Sequence, residues 1–464
     1  MTTQTKHFDA IIIGSGQAGN PLAAALAAAG KTVAVIESTN VGGTCVNDGC
    51  TPTKTIIASA EVAYLAGRAA DYGVEVGTVR TDLARVRERK REIVAKSRAN
   101  NEKRLETTTG ISLIRGIGSF AGPRMVAVAL NDGASATLEA EWIFINTGLR
   151  NHVPDIPGLN AVAHLDNVSI MELDAVPEHL VVLGGGYIGV EFAQMFRRFG
   201  SRVTMVHSKP HLLEREDADI AAEVRKILEE DGIEIILSAE AVAVWPHSGG
   251  GVELDVRVDG VVRKVAGSHI LLAAGRQPNT EALNAAAAGI DLDEHGFVRV
   301  NERLETSAPG VYGLGDVKGG PAFTHISYDD FRIIRSNLID GEHRTTTGRP
   351  VPYTVFMDPE LGRIGLTEEQ AREQGLKIKV AKMPMTSVAR AGEMARTRGL
   401  MKMVIDEETG QILGAAVLGL WGGETASLIQ VAMMGKLPYT TLRDGIFSHP
   451  TLAESLNNLL QKLE

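Results

Sequence analysis

The stretch FDAIIIGSGQAGNPLAAALAAAGKTVAVIES, Phe8 to Ser38, decides the fold. An apolar run enters a glycine turn, an alanine-rich segment follows, and a second apolar run closes on Glu37. That order reads as strand, turn, helix, strand. EHLVVLGGGYIGVEFAQMFRRFGSRVTMVHS, Glu178 to Ser208, repeats it without a gap. Gly14, Gly16 and Gly19 fall on Gly184, Gly186 and Gly189, Gly30 falls on Gly200, and Glu37 falls on His207. The first glycine allows a tight turn, the second lets backbone approach a pyrophosphate, and the third lets helix pack on strand. The phosphates then sit at the positive end of the helix. A lone copy would be no more than a surface turn. Two copies in one context imply two dinucleotide sites.

The residue closing the second strand separates the copies. Glu37 can accept from both ribose hydroxyls of an adenosine, which suits FAD or NAD. His207 offers no carboxylate, and Lys209, His211 and Arg215 lie just beyond. Cations there suit a 2′-phosphate, so the second site is expected to take NADPH over NADH. The alternative is that these are solvated loop charges that touch nothing.

Around the two copies, 464 residues allow two to four domains, and 44% hydrophobic with 22% charged residues is ordinary globular composition. A formal net charge of -10 gives a field that repels nucleic acid and anionic lipid, so neither is expected as a partner. Gln17, Asn20, Pro21 and Lys31 interrupt the longest apolar stretches, so no membrane span is expected. MTTQTKHFDAIIIGSG runs almost directly into a strand, and a cytoplasmic protein without a leader is expected. WIFINTGLR, ending near Gly148, closes a first unit at 1–150, and NHVPDIPGLN reads as a linker. A second unit, 151–275, ends where ILLAAGRQPN turns at Gly275. A central segment covers 276–347, and from 348 to 464 the pattern becomes strands followed by helices, an α+β arrangement. RVRERKREIVAKSRANNEKR, Arg85 to Arg104, reads as a helix with a solvated charged face.

Cys45 and Cys50, inside GGTCVNDGCTPTK, are the only two cysteines. Two thiols cannot staple a chain of this length or fill a tetrahedral zinc site by themselves. Residues five apart on a regular helix lie roughly 140° apart around its axis, so the sulfurs would not meet without distortion. Gly49 and Pro52 make a distorted first turn plausible.

With two dinucleotide units and a thiol pair in the first, the chain resembles the class I pyridine nucleotide–disulfide oxidoreductases, which include glutathione reductase, lipoamide dehydrogenase and mercuric reductase. GGTCVNDGCTPTK resembles the redox-active motif, with Thr53 in place of the usual serine. GGGYIGVE resembles the nicotinamide-site motif, GVYGLGD (Gly310 to Asp316) the second FAD motif, and HPTLAE (His449 to Glu454) the C-terminal acid–base motif. FTHISYDDFRII and GGETASLIQVAM bring it nearest the reactive-chlorine-resistance flavoprotein and mercuric reductase-like subgroup.

The resemblance implies an α/β fold with two Rossmann-like domains, for FAD and NAD(P), and a C-terminal α+β dimerisation domain. The segment 276–347 would complete the FAD site. NADPH would reduce the flavin, and electrons would leave through a redox-active Cys45–Cys50 disulfide to a disulfide or a thiophilic metal or oxidant. The alternatives are a mercuric or copper reductase, a lipoamide dehydrogenase, or a non-catalytic flavin- or nucleotide-binding sensor. Cys50 would face the flavin, and Cys45, the more exposed, would be the interchange thiol. Lys54 would lie beside the flavin and pair with Glu191. His449, oriented by Glu454, would be the acid–base group and would serve the partner subunit's dithiol in a homodimer. TLAE equally fits a capping box opening the last helix. Asp316 would hold the FAD ribitol or pyrophosphate. Gly43, Thr44, Gly118, Thr147, Gly148 and Thr324 would add contacts to the flavin nucleotide. Tyr187, Ile188, Gly275 and Arg276 would do so around the second nucleotide. The ending LLQKLE, without vicinal cysteines, argues against efficient mercury handling. Methionines in KMPMTSVARAGEMARTRGLMKM are expected to be core rather than metal ligands.

Overall fold

The computed structural model describes residues 5–463. Its contacts divide the chain into two compact units. One comprises residues up to Thr55, Arg85–His152 and Gly275–Arg349; the other comprises Ile56–Ala84, Val153–Ala274 and the chain from Pro350 on.

The first unit is built on Lys6–Ile13, whose apolar residues place it at the centre of a parallel sheet. It pairs in parallel with Val33–Glu37 on one side and Ser135–Ile145 on the other. Val33–Glu37 pairs with the start of Ile111–Gly122, and Ser135–Ile145 pairs with Val311–Gly313. The long strand Ile111–Gly122 then turns antiparallel to Met125–Leu130, which pairs back on Ser135–Ile145. Burial on both faces explains the unbroken apolar runs. One face packs Ile11, Ile13 and Phe120, the other Leu22, Leu26 and Phe331. The crossover helix Gly19–Ala28 returns the chain from the first strand to the second.

The second unit holds a parallel sheet in which His179–Leu183 lies between Arg202–Val206 and His269–Leu272, with Ile233–Ile236 outside. Tyr187–Phe199 is its first crossover helix. Three antiparallel strands between Glu240 and Gly267 form a separate layer. A five-stranded antiparallel sheet from Tyr353 to Gly419 is followed by the helices Gly422–Met434, Tyr439–Arg443 and Ser455–Gln461. The fold is therefore α/β, with two parallel nucleotide-type sheets and a C-terminal α+β portion. Among the described residues no helix is long and apolar enough to cross a membrane.

Arg85 to Arg104 lies within the helix Leu83–Thr107, as its composition predicts. Its charged face is not simply solvated. Arg98 Nε donates to Asn47 Oδ1 at 2.8 Å, Arg89 Nη1 donates to the Thr55 carbonyl at 2.9 Å, and Lys90 is buried. Arg98 braces the thiol-bearing stretch at Asn47, between the two cysteines, and Arg89 braces it at Thr55, just past its end.

Candidate functional site

The cysteine stretch does not distort one helix; it divides into two. Gly43–Asn47 forms a short helix, Asp48 and Gly49 interrupt it, and Cys50 opens the helix Cys50–Gly67. A Cβ on Gly49 would meet the Thr44 carbonyl oxygen at 2.9 Å, so the interruption requires glycine. Pro52 falls in the first turn, where a missing N–H costs little. The break brings the sulfurs together: the Cys45 thiol hydrogen-bonds the Cys50 sulfur. That bond lowers the Cys50 pKa to about 6 against the opposing effect of burial, helped by the Thr324 hydroxyl and the Lys54 charge. Thr324 Oγ1 lies 3.2 Å from Cys50 Sγ. Cys45 moves the other way, above the ordinary thiol range, because it donates to Cys50 and because it is buried. A thiolate at Cys50 and a thiol at Cys45 is thus the favoured singly ionised dithiol. The exposure order is the reverse of the expectation: Cys50 is exposed and Cys45 only partly so.

The first glycine turn has little room for side chains. A Cβ on Gly14 would meet the Asn146 carbonyl oxygen at 2.3 Å, and one on Gly43 would meet Gly16 Cα at 2.7 Å. No side chain caps the helix that follows, which leaves its N-terminal end suited to phosphate. Glu37 is buried, with Oε2 accepting from Ser15 N at 3.1 Å and Oε1 from Thr39 N at 2.9 Å. Ser15 Oγ and Thr39 Oγ1 also donate to it, at 2.6 and 3.4 Å, and these rotatable hydroxyls are the donors that ribose hydroxyls would replace. Thr147 Oγ1 is a buried hydroxyl without a hydrogen-bond partner among the described residues, and it follows Asn146, which lines this turn. Gly148 has φ +68. Asp316 faces Arg276 at 3.3 Å and accepts from Ser327 at 3.4 Å. This cradle, carboxylate and unsatisfied hydroxyl fit a dinucleotide such as FAD. Gly118 is closely packed: a Cβ there would lie 3.2 Å from Ile36 and 3.3 Å from Ile13.

Asn146 was not singled out in the sequence. Its Oδ1 accepts from Gly19 N at 3.0 Å and its Nδ2 donates to the Leu314 carbonyl at 3.0 Å. It therefore joins the glycine turn to the GVYGLGD segment. The available signal was its place before Thr147 and Gly148, at the end of the strand Ser135–Ile145. Asn146→Ala should destabilise the protein by about 1–3 kcal/mol, the cost of leaving a buried donor and acceptor unmade. It should also reduce flavin retained per subunit after gel filtration, and denaturant titration with flavin absorbance checks both effects.

The second turn follows the same logic. A Cβ on Gly184 would meet the Ala273 carbonyl oxygen at 2.2 Å, and one on Gly189 the Gly184 carbonyl oxygen at 2.2 Å. Gly186 precedes the helix Tyr187–Phe199, whose start no side chain caps, and Tyr187 and Ile188 are half-buried in its first turn. Gly275 has φ +135 and Arg276 begins a strand paired with Leu149–Asn151. His207 accepts from Gly185 N through Nδ1 at 3.1 Å, and burial pushes its pKa below the ordinary value. It is a neutral wedge under the turn. Lys209, His211 and Arg215 are exposed just beyond it.

Glu191 is buried and accepts from Phe356 N at 2.9 Å. It belongs to the second unit and Lys54 to the first. His449 is exposed, with Nδ1 2.8 Å from Glu454 Oε2. The capping reading fails: the last helix starts at Ser455 with Glu454 at its N-cap and no side-chain cap among the described residues, Glu454 N donates to Thr451 Oγ1 at 3.2 Å in the turn before it, and the Glu454 carboxylate turns to the imidazole. Met383, Met385, Met401 and Met403 are core residues, as expected. Val431, Met434 and Ile446 are exposed apolar side chains in the same C-terminal portion.

The sequence model described as "Pyridine nucleotide-disulphide oxidoreductase" matches residues 8–330, and that family's dimerisation domain matches 351–460. The chain is 41% identical over 456 residues to the "Probable pyridine nucleotide-disulfide oxidoreductase RclA" of Escherichia coli strain K12, covering 97% of this chain and 98% of that one. It is 34% identical over 450 residues to a mercuric reductase of Streptomyces lividans, covering 97% and 94%. A solved structure, "Cu(II) complex of HOCl-induced flavoprotein disulfide reductase RclA from Escherichia coli", superposes with a TM-score of 0.90 at 40% identity, covering 99% of this chain and all of that one. The chain belongs to the pyridine nucleotide–disulfide oxidoreductase family, and is an oxidoreductase of FAD and NAD(P)H that carries the family's dimerisation domain.

Proposed function

We propose that the protein draws electrons from NADPH and delivers them through Cys45 and Cys50 to a disulfide or a thiophilic metal ion or oxidant. The observation that carries this reading is the thiol pair itself, with Cys50 favoured as thiolate by Cys45, Thr324 and Lys54. FAD, when bound, would supply the two-electron relay between NADPH and the Cys45–Cys50 disulfide, and the Gly14–Gly19 turn, Glu37, Thr147 and Asp316 would hold it. Cys50 is the flavin-facing sulfur, and its exposure in the protein suits that place. Cys45, giving its proton to the His449 imidazole as it reacts, attacks one sulfur of the external disulfide and expels the other as thiolate. Cys50 thiolate then attacks Cys45, releasing the second substrate thiolate and restoring the internal disulfide. His449, held at Nδ1 by Glu454, protonates the leaving sulfur from Nε2, and does so at the partner subunit's dithiol. Lys54 supplies positive charge beside the thiols. Segment 276–347 completes the FAD site through Asp316 and Thr324.

The similar E. coli structure, a Cu(II) complex of a HOCl-induced flavoprotein disulfide reductase, supports a thiophilic ion or chlorine oxidant as acceptor here too. The preference for NADPH is supported by the exposed Lys209, His211 and Arg215. The deciding experiment is NADPH oxidation against disulfides, quinones, Cu(II), Hg(II) and hypochlorite-derived oxidants. A thiol-dependent acceptor should lose its turnover in Cys45→Ser, whereas quinone turnover should persist. If every acceptor survives Cys45→Ser equally, electrons do not leave through the thiols.

A further inference from the structure

The loop after the strand Arg202–Val206 carries more than the cations evident in its sequence. Its backbone is tied to the glycine turn: Leu213 N donates to the Gly185 carbonyl at 3.0 Å, and Glu216 N donates to the Leu213 carbonyl at 2.8 Å. Leu212 is buried beneath it. Further on, the Glu216 carboxylate accepts from the Tyr353 hydroxyl and faces Arg363 Nε at 3.6 Å. The segment between His207 and Glu216 is therefore held in place at both ends.

His207 fills the space under the turn, where a Cβ on Gly185 would meet its ring at 2.7 Å. Because Nδ1 accepts from Gly185 N, the neutral ring carries its proton on Nε2. Nε2 is buried and has no well-formed hydrogen bond among the described residues; a Glu214 carboxylate oxygen lies 3.4 Å away, and the His211 backbone is also near the ring. Glu214 itself is 48% exposed. At the end of the second strand such turns present an acidic residue to the adenosine ribose. Here the chain places an imidazole at that position, and the fold brings a carboxylate against it from the following loop.

We propose that Glu214 is the specificity-determining residue of the pyridine-nucleotide site. Its carboxylate accepts from the adenosine ribose hydroxyls and repels a 2′-phosphate, so NADH remains a working donor beside NADPH. The proposal rests on the NAD(P)H reading above and refines it. Lys209, His211 and Arg215 draw a 2′-phosphate in, Glu214 opposes it, and the balance sets the ratio of the two affinities.

Calorimetric binding of NAD⁺ and NADP⁺ to the oxidised full-length protein reads that ratio without turnover, since the ligands differ only in the 2′-phosphate. Glu214→Gln should tighten NADP⁺ and weaken NAD⁺, moving the ratio by about tenfold, as expected for removing one partly screened charge beside a phosphate. Glu214→Asp, which keeps the charge, should move it much less. An unchanged ratio in Glu214→Gln, with the melting temperature of the parent, overturns the proposal. Lys209→Gln tests the NADPH preference separately and should weaken NADP⁺ alone. A parent that binds NAD⁺ more tightly than NADP⁺ overturns that preference, while a shifted ratio in Glu214→Gln still upholds the role of Glu214.

Discussion

Cys45→Ser should leave a single thiol, Cys50, that ionises near the value of about 6 set by its surroundings in the parent. With only two cysteines in the chain, thiolate ultraviolet absorbance then reports one residue. The serine hydroxyl can still donate to the Cys50 sulfur, so the low value should largely survive. Cys45→Ala removes that donor and should raise it, and Thr324→Val, which removes the hydroxyl 3.2 Å from Sγ, should raise it as well. The sign follows from the chemistry. Each donor stabilises the thiolate, so losing it moves ionisation to higher pH and shrinks the thiolate fraction at neutrality. Cys50→Ser should leave Cys45 without the partner that holds its proton, so its pKa should fall back toward the ordinary thiol range. Every variant of either cysteine should lose disulfide reduction to background while NADPH-dependent quinone reduction continues. If Cys50 in Cys45→Ser titrates with an ordinary thiol value, its assignment as the stabilised thiolate is wrong. If Cys50→Ser still reduces disulfides at the parent's rate, the relay itself is wrong.

His449→Ala should lower disulfide turnover by about 10²–10⁴-fold, the usual contribution of a positioned proton donor. Flavin content should not change, because His449 and Glu454 lie in the segment matching the dimerisation domain. If the imidazole serves the partner subunit, mixing Cys45→Ser and His449→Ala chains should restore activity. In a hybrid dimer one site collects both defects and the other has neither. Random exchange of equal amounts should recover about a quarter of the parent's turnover, because half of the dimers are hybrids with one intact site each. Light and heavy isotope labelling with native mass spectrometry measures the exchange. Complete exchange without recovery would assign each site to a single chain. Glu454→Gln should give a milder loss, and its pH profile should shift, since the imidazole would lose the carboxylate that holds Nδ1.

The sequence by itself determined the architecture and the chemistry. The repeated glycine turns, each between apolar runs, could form only a strand–turn–helix–strand, because residues such as Gly14 and Gly184 have no space for a Cβ. The two cysteines and the HPTLAE segment were legible for the same reason: each depends on residues close together in the chain. What remained illegible depended on residues far apart. Asn146 lies more than a hundred positions from Gly19 and from Leu314, and its amide joins them only after the sheet has formed. The helix break at Asp48 and Gly49 brings the two sulfurs together, which the spacing of a regular helix would not. His207 became a neutral wedge, not a charged ligand, because burial penalises its protonated form and Gly185 N occupies Nδ1. Glu214 reaches the ring through the path of the loop, not through any motif. Local backbone constraints are written in neighbouring residues. Protonation, exposure and long-range hydrogen bonding follow from what the tertiary structure places around each group.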